Sequence, residues 1–219
     1  MKKTILITAL LAAAIAPLQA QVRITEVAPW ASGNSPYAAD WFELTNIGTG
    51  SLTITGWRID DSSAAFGSAA ALNGIIDIAA GESVIFLETA TLATTSPAFL
   101  STWFGSNPPV GLQIGNYSGS GLGLSTGGDG VNIFDGGGTL QANVSFGASP
   151  SGPFPTFDNA AGLNATAISQ LSTVGVNGAL VAANDANEIG SPGAVPEPST
   201  GIALIGGLGM LLSLRRRRA

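Results

Sequence analysis

The residues able to do chemistry in this chain are few, and nearly all of them are carboxylates. Among 219 residues there is no Cys and no His. A Ser-His-Asp triad, a cysteine nucleophile, a Cys/His zinc site and a disulfide framework are therefore all excluded. Glu26 and Glu43 would make the acid and base of a glycosidase if they faced one cleft. As charged strand positions they are expected to be solvated instead. Asp60 and Asp61 close one strand-like run, and Asp40 and Glu43 flank another. Carboxylates on adjacent loops hold Ca²⁺ where about six to eight oxygens converge. Gly127, Gly128, Asp129 and Gly130 offer carbonyls and one carboxylate. Gly and Asp at such a place equally serve a tight turn, which is the favoured reading. No EF-hand spacing or calcium-binding repeat is present.

Four aromatic residues are candidates for stacking on a ligand. Trp41 and Trp57 lie in runs of period 2, so packing inside a sheet interior is the expectation for both. Trp30 and Tyr37 lie in a loop rich in Gly, Pro and Asn, where they either bind or close the loop, closure being favoured. Asn116, Asn143 and Asn164 each begin an Asn-x-Ser/Thr triplet. Such triplets arise by chance in a chain rich in Ser, Thr and Asn.

Charge is scarce and unevenly placed. Charged residues make up 10% of the chain and the formal net charge is −6. Of eight basic residues, Lys2 and Lys3 stand at the start and Arg215, Arg216, Arg217 and Arg218 at the end. Between residues 21 and 195 only Arg23 and Arg58 oppose thirteen acids, eleven negative charges net. Such a body repels phosphate backbones and excludes a conventional nucleic-acid partner.

Each end is an address. Residues 1–20 (MKKTILITALLAAAIAPLQA) place two lysines before an apolar run, then Pro17 and a small Ala20. That is the layout of a secretory signal peptide cut between Ala20 and Gln21. Residues 195–219 place Pro196, Glu197 and Pro198 before an uncharged run over 201–214 and the four terminal arginines. Fourteen helical residues span roughly 21 Å, short of a hydrocarbon core of about 30 Å. Flanking adjustment makes a short transmembrane helix feasible, with Arg215 to Arg218 as the cytoplasmic stop-transfer block. The combination of Pro-Glu-Pro, short apolar segment and arginine cluster closely resembles the PEP-CTERM sorting signal of Gram-negative bacteria. The resemblance implies that an exosortase-type transpeptidase recognises Pro196, Glu197 and Pro198 and removes the tail.

The elements that must position the remaining residues are strands. Residues 21–194 show no sustained helical period. They show short alternating runs broken by Gly, Asn, Asp and Pro about every ten residues. Such runs cover 22–27, 41–46, 51–60, 75–87, 122–134 and 140–146. The reading places a hairpin over 122–134 with its tip at 127–130, a turn at Gly136 to Gly138 after which 140–146 pairs next, a helix within 89–104, and two weakly marked strands within 156–187. Seven or eight strands in such a length predict an all-β fold of two packed antiparallel sheets.

Five stretches in order also resemble the lamin tail domain. They contain Ile24, Glu26 and Val27; Asp40, Trp41, Glu43, Leu44 and Asn46; Ile54, Gly56, Trp57, Ile59 and Asp60; Ile78, Ala80, Gly81, Val84 and Phe86; and Gly128, Asp129, Val131, Ile133, Asp135, Gly138 and Val144. Ser191, Pro192 and Gly193 fit as a closing piece. The resemblance implies an immunoglobulin-like antiparallel β-sandwich.

The resulting expectation is a signal peptide at 1–20, a β-sandwich at 21–194 and a sorting and anchor segment at 195–219. The protein is expected to be exported and non-enzymatic, without a cofactor. Its processing partners are a signal peptidase and the exosortase-type enzyme, and it is anchored transiently in the inner membrane facing the periplasm. Its destination is the cell surface or matrix, among exopolysaccharide or envelope components. A carbohydrate- or calcium-binding adhesion module is the alternative, and a carboxylate-only secreted hydrolase a further one.

Overall fold

The computed structural model describes residues 22–194. The strands run, in chain order, β1 (Val22–Ala28), β2 (Trp41–Asn46), β3 (Leu52–Thr53), β4 (Arg58–Asp60), β5 (Ala70–Ala71), β6 (Asp77–Ile78), β7 (Ser83–Glu88), β8 (Ile114–Tyr117), β9 (Asp129–Phe134), β10 (Leu140–Phe146), β11 (Phe154–Pro155), β12 (Phe157–Asp158), β13 (Ala167–Ile168), β14 (Leu180–Ala182) and β15 (Asp185–Gly190). A one-turn helix, α1 (Ala31–Asn34), follows β1, and a 13-residue helix, α2 (Leu92–Phe104), follows β7. The predicted signal helix and transmembrane helix lie outside the described residues. Among the described residues no helix is long and apolar enough to cross a membrane.

Two five-stranded sheets form the sandwich. The first has the order β12-β1-β2-β7-β8 and the second β13-β10-β9-β4-β5. Alternation along the strands sends Phe42 and Leu44 of β2, Val84 and Phe86 of β7, and Val131 and Ile133 of β9 into one shared core with Trp57 and Ile59. Phe42 stacks on Phe86 with centroids 5.4 Å apart, an arrangement worth about 0.5–1.5 kcal/mol beyond its buried area. The predicted all-β, immunoglobulin-like sandwich is therefore present.

Three features differ from the sequence reading. Pairing is mixed: β7 and β8 are parallel, as are β10 and β13, because connections through α2 and through residues 147–166 are long enough to bring the chain back in the same direction. Residues 122–128 form no strand, so the hairpin is not at 127–130. It joins β9 to β10 through residues 135–139, where the Asp135 N–H donates to the Thr139 carbonyl at 2.9 Å and Gly138 takes φ +87°. The short apolar runs also split between sheets. β3 and β6 pair with each other, and a third sheet of order β11-β15-β14 is built from the weakly marked C-terminal part.

That third sheet and α2 change what the first sheet faces. Trp41, Ile85 and Leu87 point away from the sandwich core into a second apolar cluster with Phe99 and Trp103 of α2 and Ala182 of β14. Phe99 and Trp103 are four residues apart and so share one face of the helix. Both meet Trp41 edge to face, at 5.6 and 5.8 Å. Every residue of β2 is consequently buried. A strand that alternates Trp-Phe-Glu-Leu-Thr reads as half-solvated, yet here its polar face is covered too.

Candidate functional site

The buried polar face of the first sheet is where the carboxylates gather. A bulge in β1 between Ile24 and Glu26 makes Glu26 the direct neighbour of Glu43 across the β1–β2 ladder. Bulges re-aim side chains in this way. Both glutamates are buried, at 1% and 2% exposure, which corrects the expectation of solvated strand positions. Residues 156–193 fold over them, and nothing in the local pattern of β1 or β2 announces that cover.

Each carboxyl is held by donors from distant parts of the chain. Glu26 Oε1 accepts from the Thr156 hydroxyl and from the Ser191 N–H at 2.7 Å, and Oε2 accepts from the Ser191 hydroxyl at 3.1 Å. Glu43 Oε1 accepts from the Thr25 hydroxyl at 2.5 Å, and Oε2 accepts from the Gly193 N–H at 2.7 Å. Thr25, Thr45 and Ser83 continue the layer as a ladder of hydroxyls with spacings of 2.8 and 2.7 Å. Ser83 Oγ ends the layer by donating to the Ala194 carbonyl at 3.2 Å. Loss of solvation pushes Glu26 up to about 7, against the pull of its donors. Loss of solvation, then the facing Glu26 charge, pushes Glu43 up to about 8.

The Ser-Pro-Gly sequence at residues 191–193 is thus a clasp over two buried acids. Ser191 supplies an N–H and a hydroxyl to one, and Gly193 supplies an N–H to the other. Gly193 sits at φ +78°, and a β-carbon there would lie 2.9 Å from Leu112 Cδ1. Gly190, at the end of β15, is required by space: a β-carbon would come within 2.6 Å of Glu26 Oε1 and 2.9 Å of Trp103. The clasp brings the last described residue, Ala194, onto β7 two positions before Pro196.

A second buried acid lies under the aromatic loop. Tyr37 accepts from Trp41 Nε1 at 3.0 Å and Trp103 Nε1 at 3.2 Å, and donates to Glu188 Oε2 at 3.2 Å. Burial pushes Glu188 up to about 7, against the hydrogen bond from Tyr37. Trp30 is 1% exposed, donates to the Pro155 carbonyl at 3.1 Å and stacks on Phe154. The loop aromatics close the structure over β15 rather than facing solvent, and Trp41 and Trp57 are buried as well.

The remaining candidates do not converge. Asp60 organises its own loop, accepting from the Ser63 hydroxyl at 2.5 Å, the Ala65 N–H at 2.7 Å and the Ser68 hydroxyl at 3.2 Å. Asp61 accepts from the Ser63 N–H at 2.9 Å. Asp129 accepts from the N–H groups of Ser62, Ser125 and Gly130. Asp40, just before β2, accepts from the Ser32 N–H of α1 at 2.7 Å. Among the described residues no three His, Cys, Asp or Glu side chains are placed to hold a metal ion. Gly127 and Gly128 lie at a turn, with Gly128 at φ +113°, and Gly130 lies within β9. Asn116 lies within β8 and Asn143 within β10. Ala20, Gln21, Pro196, Glu197, Pro198 and Arg215 to Arg218 lie outside the described residues.

Sequence reasoning missed Ser191, Gly193, Thr156 and Glu188. A usable signal existed for one pair: two glutamates inside strands otherwise apolar on the sandwich side ask what supplies their donors.

The described residues form a mixed β-sandwich backed by a helix and a third sheet, with residues 191–193 closed onto two buried acids. The chain belongs to the lamin tail domain family, whose model matches residues 16–148, more than half its length. Residues 194–218 match the PEP-CTERM protein-sorting motif. No curated protein and no solved structure matches the chain. The lamin tail match stops before Ser191, so the clasp lies in the stretch between the two matched regions.

Proposed function

We propose that this is an exported, non-enzymatic β-sandwich module that is delivered to the cell surface or extracellular matrix through its tail. The PEP-CTERM motif indicates an exported protein sorted by an exosortase-type system, with a transient membrane anchor. The observation that carries the reading is the position of that motif. It begins at Ala194, the last described residue, and Pro196, Glu197 and Pro198 follow within four residues. A matrix role among exopolysaccharide or envelope components fits a body of thirteen acids and two arginines that carries no Cys or His. The non-enzymatic reading is supported by the two glutamates best placed to act as acid and base. Glu26 is engaged by Thr156 and Ser191, Glu43 by Thr25 and Gly193, and both are buried.

The test is the intact mass and cell fraction of the mature protein, compared with Glu197→Ala, in a host that carries an exosortase-type enzyme. The native protein is expected to lose both ends, and with them six of its eight basic residues. The variant is expected to keep its tail and stay in the membrane fraction. Equal mass and equal fractionation of the two proteins would overturn the reading.

A further inference from the structure

The two loops that flank the exit of the tail share an unusual surface. On one side, residues 106–112 (SNPPVGL) lie against the clasp, since Leu112 occupies the space beside Gly193. Two prolines stiffen this loop and Val110 stands fully exposed at its tip. On the other side, residues 173–178 (TVGVNG) form a turn in which the Val176 N–H donates to the Thr173 carbonyl at 2.9 Å. Gly178 of that turn abuts Ala194: a β-carbon on it would lie 3.0 Å from the Ala194 Cβ. Val174 and Val176 are 54% and 42% exposed there, and Leu163, which shares a groove of about 750 Å³ with Gly178 and Ala194, is 52% exposed.

The same end is almost free of charge. No charged residue occurs in residues 89–128 or 159–184, the two stretches that carry these loops. The charges that border the exit are engaged. Glu82 accepts from the Ala79 N–H at 2.6 Å and Gln113 Nε2 at 2.9 Å. Asp158 is buried and accepts from the Ala160 N–H and Asn177 Nδ2. Arg23 packs its aliphatic stem against Gly162. Single exposed valines are ordinary on a protein surface. Here they stand on two uncharged stretches that flank Ala194, and the neighbouring charges are engaged.

We infer that this end of the sandwich is a bilayer-facing surface that rests in the lipid interface while the tail is still attached. The inference builds on the reading of the tail as an anchor. Only six residues, 195–200, separate Ala194 from the uncharged run, and fully extended they reach roughly 20 Å. The loops beside Ala194 are therefore held next to the headgroups. Apolar tips without charge enter that zone, whereas the carboxylate-bearing remainder of the body is repelled by anionic lipid.

The chain has no cysteine, so single reporters are clean. Full-length Val110→Cys, Val176→Cys and Asn34→Cys would each carry an environment-sensitive fluorophore. Asn34 is an exposed residue at the opposite end of the first sheet. The proteins would be reconstituted into phosphatidylethanolamine–phosphatidylglycerol vesicles containing a spin-labelled quencher lipid, and vesicle association read by flotation. Quenching of about twofold or more is expected at positions 110 and 176, and little at 34. Flotation with equally weak quenching at all three positions would overturn the surface and leave the anchor intact. Failure to float would overturn the anchor reading, and this inference with it.

Discussion

Gly193 donates its N–H to the buried carboxyl of Glu43 at 2.7 Å, joining two residues 150 positions apart in the chain. The bond ties the last strands of the body to the second, just ahead of the sorting motif. It also tells which substitutions separate the carboxyl's charge from its hydrogen-bonding role.

Glu43→Ala would leave the Gly193 N–H and the Thr25 hydroxyl buried without a shared acceptor. A loss of about 2–4 kcal/mol is expected, read as a lower urea midpoint at unchanged slope. Glu43→Gln keeps an acceptor oxygen and removes only the titration. It is expected to cost under about 1 kcal/mol at neutral pH. Equal losses for the two variants would sink the hydrogen-bond account.

Glu26, Glu43 and Glu188 all sit above the usual carboxyl value, at about 7, 8 and 7. Raised acids bind protons more tightly in the folded state. Their stabilising effect is complete below the unfolded value near 4.5 and is lost as pH rises through 7 to 8. The melting temperature should therefore be higher at pH 5 than at pH 8, by about 5 °C or more. The double variant Glu26→Gln, Glu43→Gln should flatten most of that slope. A wild-type melting temperature that rises from pH 5 to pH 8 would contradict the assignment.

Gly193→Ala places a side chain at φ +78° and against Leu112. The expected cost is about 1–2 kcal/mol. Because the strain falls on the clasp, limited proteolysis should gain a cut near residues 190–194 before global unfolding. A variant whose cleavage pattern and melting point both match wild type would show that the clasp tolerates a side chain.

Tyr37→Phe removes the acceptor of two indole N–H groups and the donor to Glu188. The expected loss is about 2–3 kcal/mol. Trp41 and Trp103 lose their partner together, so their fluorescence should shift in the native state as well. An unchanged emission spectrum would argue that the indoles do not depend on Tyr37.

Much of the sandwich was legible from residue order alone. Phe42, Leu44, Val84, Phe86, Val131 and Ile133 fall on alternating positions, and that period sends them into the shared core. The 135–139 turn and α2 were legible too, the first from its glycines and the second from a stretch rich in Ala and Leu. The environment of Glu26 and Glu43 was not. Periodicity says which face a side chain takes but not whether another layer covers that face. Besides β15, the covering sheet is made of strands of two and three residues that have no period of their own.

By itself, the sequence determined which chemistries are closed to this protein and where it is addressed, because both depend on residue types and linear order. His and Cys are missing wherever the chain folds, and Pro196, Glu197 and Pro198 precede an uncharged run and four arginines in any conformation. Only the tertiary structure decided that Glu26 and Glu43 are internal fasteners for Ser191 and Gly193, and that the loops of Val110 and Val176 flank Gly193 and Ala194. Those relations depend on contacts across as many as 165 residues of sequence, set by how sheets and loops stack rather than by any local pattern.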